Sequence, residues 1–333
     1  MTVFFVGGEL DGLRLTTPGE VGITTDTTYF DSRFARQAIY TGHGQPMIAA
    51  LPGVGNELWI SFHCAFRGTT TGIDQWVKLR SPSGDMLLAA DTYAASGAGG
   101  IFFAVNTGRD ASVDVSFAER IVAPVERYRV DIHLVLSAAG AVTVYVDGLL
   151  EDSIGVDLSL WGNEDLELHL LNKAYGSSSS FARAYFSEII AADQDTRNMR
   201  VNASSPVAVG TYNDWAGDHN TVNHAALDDL TLLTSDTAGQ RQTFTLAQLP
   251  AEALEMDTVA VALSGRMQNI LGAPDNIQPL LRRGTIDHSG LAIPGLQVGL
   301  NGRQVIFEND PFTTLPWATL DVAGTEYGFE SAV

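Results

Sequence analysis

The chain has 333 residues, too long for one small core and suited to two domains. Its 19 Lys+Arg against 39 Asp+Glu leave a formal charge of −20, which repels phosphate backbones and anionic lipid and so argues against nucleic-acid binding and membrane insertion. The single cysteine, Cys64, excludes an intrachain disulfide, and no apolar run reaches the roughly 18 residues of a membrane-spanning helix.

The N-terminal MTVFFVGGELDG has no basic region and too short an apolar run for a secretory signal, so synthesis in a cytoplasm without general secretion is expected. A strand is expected over residues 3–6, and residues 24–28 read as extended. Further strands are expected over 35–40, 47–51, 58–66, 74–79 and 86–90. In the clearest of these, Leu58, Ile60, Phe62, Cys64 and Phe66 share one apolar side, which makes Cys64 a buried structural thiol. The segment AASGAGG, 94–100, reads as a flexible loop between strands, and strands follow at 101–105 and 112–118.

The organising stretch is 128–151. Tyr128, Val130, Ile132, Leu134 and Leu136 alternate with polar residues, Gly140 ends the turn, and Val142, Val144 and Val146 resume the alternation up to the turn pair Asp147-Gly148. Strands at 166–171 and 182–192 bring the total to ten to twelve with no helix, the pattern of an antiparallel sandwich. Residues 193–200 are polar and aperiodic and read as the domain boundary, giving domains 1–195 and 196–333. Beyond it a second region begins at 201–209, with expected strands at 227–234, 241–246, 257–267, 284–294 and 296–307, an aromatic turn at 210–215 and a helical turn at 250–254. The fold class is therefore all-β, with a second β-sandwich after the first.

The hairpin and its V-x-V-Y-V-D-G exit resemble the late hairpin of concanavalin A-like and laminin-G-like jelly-roll domains, which implies such a fold for 1–195. The chain's end resembles the C-terminal signature of a group of tailed-bacteriophage virion proteins. It keeps Pro311, Thr313, Trp317, Thr319, Asp321-Val322 and Gly328-Phe329, and departs at Asp310 (Asn in the pattern), Thr314 (Gly) and Ala323 (Asn). The exit Asp193, Asp195, Thr196, Arg197 and the G-x-Y-x-D-W segment ending at Trp215 agree with that group. The resemblance implies a non-enzymatic structural part of a virion assembled in the host cytoplasm: tail, fibre, baseplate or head surface. Its implied partners are other virion proteins, copies of itself and host surface glycan. On physical grounds alone, Pro311, Pro316 and Trp317 suggest a clasp closing the second domain.

Catalytic patterns are absent. Glu164 and Glu167 fall on opposite faces of a strand, the wrong placement for a paired acid and nucleophile. No G-x-S-x-G occurs, and His133 and His169 read as exposed on polar strand sides; His219 and His224 share a polar loop. No cofactor or metal site is assigned; Asp193/Asp195 and Asp214/Asp218 are the acid pairs with calcium-compatible chemistry, and solvated loop acids are the plainer account of them. For stacking on sugar rings the candidates in or beside loops are Tyr93, Trp161, Tyr175, Tyr212 and Trp215. A carbohydrate-binding module is the alternative to the virion reading, with a glycoside hydrolase or lyase behind it.

Overall fold

The computed structural model describes residues 1–8, 12–15, 21–41, 46–67, 76–95, 98–106, 114–122, 126–171, 183–223, 231–269, 274, 276–293, 296 and 299–332; of residues 21, 41, 91–95, 98–102, 114–122 and 183 it describes the backbone alone. The chain forms two compact units, Met1–Val201 and Asn202–Val333. Among the described residues no helix is long and apolar enough to cross a membrane.

The first unit carries β1 (Val3–Gly7), β2 (Arg14–Leu15), β3 (Val21–Thr24), β4 (Ala38–Thr41), β5 (Met47–Val54), β6 (Glu57–Arg67), β7 (Val77–Arg80), β8 (Met86–Ala95), β9 (Ala98–Asn106), β10 (Asp114–Val122), β11 (Arg127–Val135), β12 (Ala141–Val146), β13 (Leu149–Gly155), β14 (Glu164–Leu170) and β15 (Arg183–Ala192). They form two antiparallel sheets of a jelly-roll sandwich. The first has the order β13-β12-β11-β6-β15-β4-β3, with β1 also paired to β15; the second has the order β10-β9-β8-β7-β14-β5-β2. The alternation seen in the sequence becomes the core. Ile60, Phe62 and Cys64 on β6, Val130, Ile132 and Leu134 on β11, and Leu79, Leu88, Phe103 and Leu168 from the second sheet are all inaccessible or nearly so. Each such aliphatic or aromatic side chain contributes about 1.5–3 kcal/mol through burial. Trp76, which interrupts the alternation before β7, is a core residue, its ring 5.1 Å from Phe66 and 5.8 Å from Phe62. Asp147 (φ 51°) and Gly148 (φ 78°) both take left-handed backbone, the geometry a two-residue hairpin turn demands.

Three expectations need correction. Residues 94–95 and 98–100 are strand, because β8 runs on to Ala95 and pairs with β9 from Ala98; residues 96 and 97 lie outside the described residues. Residues 24–28 turn away from β3 after Thr24, where the side chains of Thr24 and Asp26 accept the amides of Asp26 and Thr28. The first unit runs to Val201, so residues 196–200 belong to it.

The second unit carries β16 (Pro206–Asn213), β17 (Arg241–Leu246), β18 (Val261–Met267), β19 (Asn276–Arg283), β20 (Ile286–Ser289), β21 (Asn301–Phe307) and β22 (Glu326–Ala332), with short helices α1 (His219–Val222), α2 (Ala251–Leu254) and α3 (Thr319–Ala323). A sheet of order β16-β17-β22-β19-β20 faces the ribbon β18-β21 across Leu263, Leu281, Trp317 and Tyr327. Of the expected strand at 227–234, residues 227–230 lie outside the described residues and 231–234 form no strand, Thr234 making only an isolated bridge to Ala216.

The terminal signature is a clasp on this unit. Asp310, 1% exposed, accepts both Arg283 nitrogens (2.8 and 3.2 Å), the Phe312 amide (3.1 Å) and the Thr313 hydroxyl (3.0 Å). Thr314 sits at φ 61°, which accounts for the glycine in the pattern it departs from. Trp317 is buried, and its indole N–H donates to the Phe307 carbonyl at 2.8 Å. A Cβ on Gly328 would lie 1.8 Å from the Gln242 carbonyl oxygen, so β22 meets β17 there only because the residue is glycine.

Candidate functional site

In the first sheet, the residues that point away from the core are polar and aromatic. The register sets Trp59, Ser61 and His63 of β6 beside His133, Asp131 and Arg129 of β11, and Asp131 beside Tyr145 of β12. Two segments of the same unit close over them. From residues 193–201, Thr196 hydrogen-bonds Ser61 at 2.5 Å, and Ser61 donates to Asp131 Oδ1 at 2.5 Å. With the Ser61 proton so committed, Thr196 is the donor of the first bond. Arg129 donates to Asp131 (3.0 Å) and to the carbonyls of Thr196 (2.7 Å) and Met199 (3.0 Å).

Arg200 binds Glu188 through two parallel bonds of 2.7 and 2.8 Å, reaches Asp31 at 3.2 Å and lies 3.7 Å over the Phe34 ring. Glu188 gets to this face through a bulge between Ser187 and Ile190, at φ 48°. Burial opposes its ionisation, but the bonds from Arg200, with His63 beside it, outweigh burial and hold its pKa at about 2. The hydrogen bond from Arg33, aided by Arg200, likewise holds Asp31 well below the ordinary carboxylate range. Arg197, paired to Asp195 at 2.6 Å, lies 4.5 Å over Tyr145 and 5.3 Å over Trp59. The result is a polar face covered by its own chain, with Asp131, Thr196 and Glu188 at 1% exposure or less; Asp131 Oδ2 and Ser187 Oγ are buried there without a hydrogen-bond partner among the described residues.

The second sheet presents a different cluster. Leu166, Leu168 and Leu170 of β14 point inward, which leaves Glu167 and His169 together on the other face. The register sets Ile48 and Lys78 on either side of His169, and Ala50 and Arg80 on either side of Glu167; Arg14 on β2 lies across from Ile48. Glu167 bonds Arg14 with one oxygen (2.5 Å) and the His169 Nε2 with the other (2.9 Å). Burial pushes the His169 pKa down, and the nearby Arg80 and Arg14 push the same way. At neutral pH His169 is therefore an uncharged imidazole whose Nε2–H is given to Glu167, which leaves Nδ1 as an acceptor. Burial works against the Glu167 carboxylate, but its bonds to His169 and Arg14 prevail and lower its pKa. The expectation that His169 is an exposed, unremarkable histidine is thus corrected: it is 7% exposed and held in a chain of guanidinium, carboxylate and imidazole.

Each described sugar-stacking candidate is engaged within its own unit. Trp161 is fully buried at the end of a 3-10 turn, Ser159–Trp161, and has no face for a sugar. A loop position was misleading here because the turn folds the ring into the core. Tyr212 donates its hydroxyl to Asp287 at 2.5 Å, with the guanidinium groups of Arg241 and Arg282 over its ring at 5.3 and 5.2 Å. That ring belongs to an ion-pair network of the second unit. Trp215 is half-buried and donates its indole N–H to the Gln240 carbonyl at 3.1 Å. The Tyr93 side chain and Tyr175 lie outside the described residues, as do His43 and His224.

The acid pairs weighed for calcium are committed elsewhere. Asp193 accepts the Thr2 amide (2.7 Å), Asp195 holds Arg197, Asp214 accepts the Arg241 amide (3.0 Å), and Asp218 caps α1 at the Asn220 amide (2.8 Å). Among the described residues no group of three or more His, Cys, Asp or Glu is placed to hold a metal ion.

No family model matches the chain, and no curated protein matches it. Solved structures do show distant likeness. An endo-β-1,4-glucuronan lyase from the fungus Trichoderma reesei is 12% identical at a TM-score of 0.41, over 58% of this chain and 96% of that one. The T. cruzi calreticulin globular domain is 12% identical at 0.42, over 59% and 90%. A carbohydrate esterase from the Shiga toxin-encoding bacteriophage phi24B is 10% identical at 0.42, over 61% and 99%. Likeness at this distance does not bear on what the chain does.

Proposed function

We propose that this chain is a non-enzymatic structural component of a tailed-phage particle, in the tail, fibre, baseplate or head surface, with host glycan as its outside contact. The observation that carries this reading is the disposition of its polar residues. The first sheet's polar face is sealed by residues 193–201, and the motif residues of the terminal segment go into a clasp that stabilises the second unit. Residues of that kind support assembly and rigidity rather than turnover. The resemblance of the terminal signature to tailed-phage virion proteins points the same way. The test is immunogold labelling of intact particles of the phage that encodes the chain, with antibody to it. Label on tail or head is expected, and its position chooses between attachment and decoration; particles without label overturn the reading. Incubation with polysaccharide is expected to release no new reducing ends.

A further inference from the structure

We infer that the solvent-facing side of the second sheet binds an acidic oligosaccharide, with Arg14 taking its carboxylate and Glu167 and His169 taking its hydroxyls. This rests on the glycan-contact half of the reading above and gives it a place and a ligand class.

Three observations converge. The first is charge. In a chain of net −20, three cations, Arg14, Lys78 and Arg80, come from β2 and β7 on either side of β14; Arg14 meets the Glu167 carboxylate directly, and Arg80 gives its guanidinium to the Gly84 carbonyl. Asp165, further along β14, is occupied with the Gly53 amide at 2.8 Å. The second is unused bonding capacity. The Arg14 side chain is 45% exposed and gives only Nη2 to Glu167, so most of its five N–H donors remain for a ligand. A guanidinium fork of this kind matches a carboxylate through two parallel bonds. The third is the mixture of groups. A carboxylate set among the cations repels a polyphosphate, whereas Glu167 and the His169 Nδ1 are acceptors suited to hydroxyls. Donors for an acid beside acceptors for hydroxyls describe a sugar acid better than a phosphate chain. Ala50, a short and exposed side chain directly across from Glu167, leaves room for a sugar ring beside it.

The test is calorimetric titration of the full chain with trigalacturonate and with sialyllactose, each against the neutral sugar that lacks the carboxylate. At least one acidic sugar is expected to saturate the chain and to bind at least ~10-fold more tightly than its neutral counterpart. Arg14→Ala is expected to weaken it at least ~10-fold, and so is His169→Gln, which serves if the arginine variant does not fold. Melting curves verify that the variants are folded. No saturable binding of either acidic sugar, equal binding of the neutral sugar, or full binding by both folded variants overturns the site. Label on particles without sugar binding removes this site and leaves the structural reading standing; sugar binding without label on particles does the reverse.

Discussion

Glu188 shows how much one side chain can organise. It is buried, sits on left-handed backbone and meets Arg200 through two parallel bonds, so removing Arg200 strands its charge in the interior, while removing Glu188 leaves Arg200 with Asp31 alone among the described carboxylates. Glu188→Gln or Arg200→Met is expected to destabilise the first unit by about 3–5 kcal/mol in urea unfolding. The pH dependence follows in sign. The folded pKa of about 2 lies below the ordinary 4.5, so the stabilisation is complete above pH 4.5 and is lost as pH falls toward 2. Unfolding midpoints measured between those limits should drop steadily, and the Glu188→Gln variant should show a shallower drop, the remainder coming from Asp31 and the other carboxylates held below their ordinary range. Cys64 was legible from alternation alone, and burial pushes its thiol pKa up; a thiol reagent should label it only after unfolding. His169 was not legible. Its partners Glu167 and Arg14 lie two and 155 residues away in sequence, and only the first is a local signal, two residues apart on one strand face.

Elements whose residues carry their own period were readable. β6, β11 and β12 fall where alternation puts them, and β17 coincides with its expected residues. β19 has no clear signal in the sequence: Pro279 within it argues against an inner strand, yet β19 lies between β22 and β20. The segment 193–200 was taken for a boundary because its polarity has no period; those polar groups serve the buried face beneath it. A fragment of residues 1–201 should therefore melt cooperatively, while one of residues 1–195 should be markedly less stable, having lost Thr196 and Arg200. In the second unit, Trp317→Ala should cost about 3–5 kcal/mol. Thr314→Gly should instead stabilise by up to about 1 kcal/mol, since it relieves left-handed strain. Chemical unfolding of the 202–333 fragment measures both.

For the molecule as a whole, the all-β class and the presence of two mainly-β parts followed from turn spacing and strand count. The face that carries Arg14, Glu167 and His169 did not, because it is assembled from strands far apart in the chain. At net −20, any acidic ligand approaches against the overall field, so its binding should gain from added salt at long range and lose from salt at the contact itself. A shallow dependence of affinity on ionic strength is the expected outcome, and calorimetry between low and physiological salt measures it.

Thr196, Arg197 and Arg200 are the last residues of the first unit to leave the ribosome, yet they satisfy the polar groups of its central strands. A nascent chain that has emerged only through β15 therefore holds a finished apolar core beneath an unfinished polar roof. A chain released at that point should be cut by protease faster than one that includes residues 196–201, which supply the bonds to Ser61, Arg129 and Glu188.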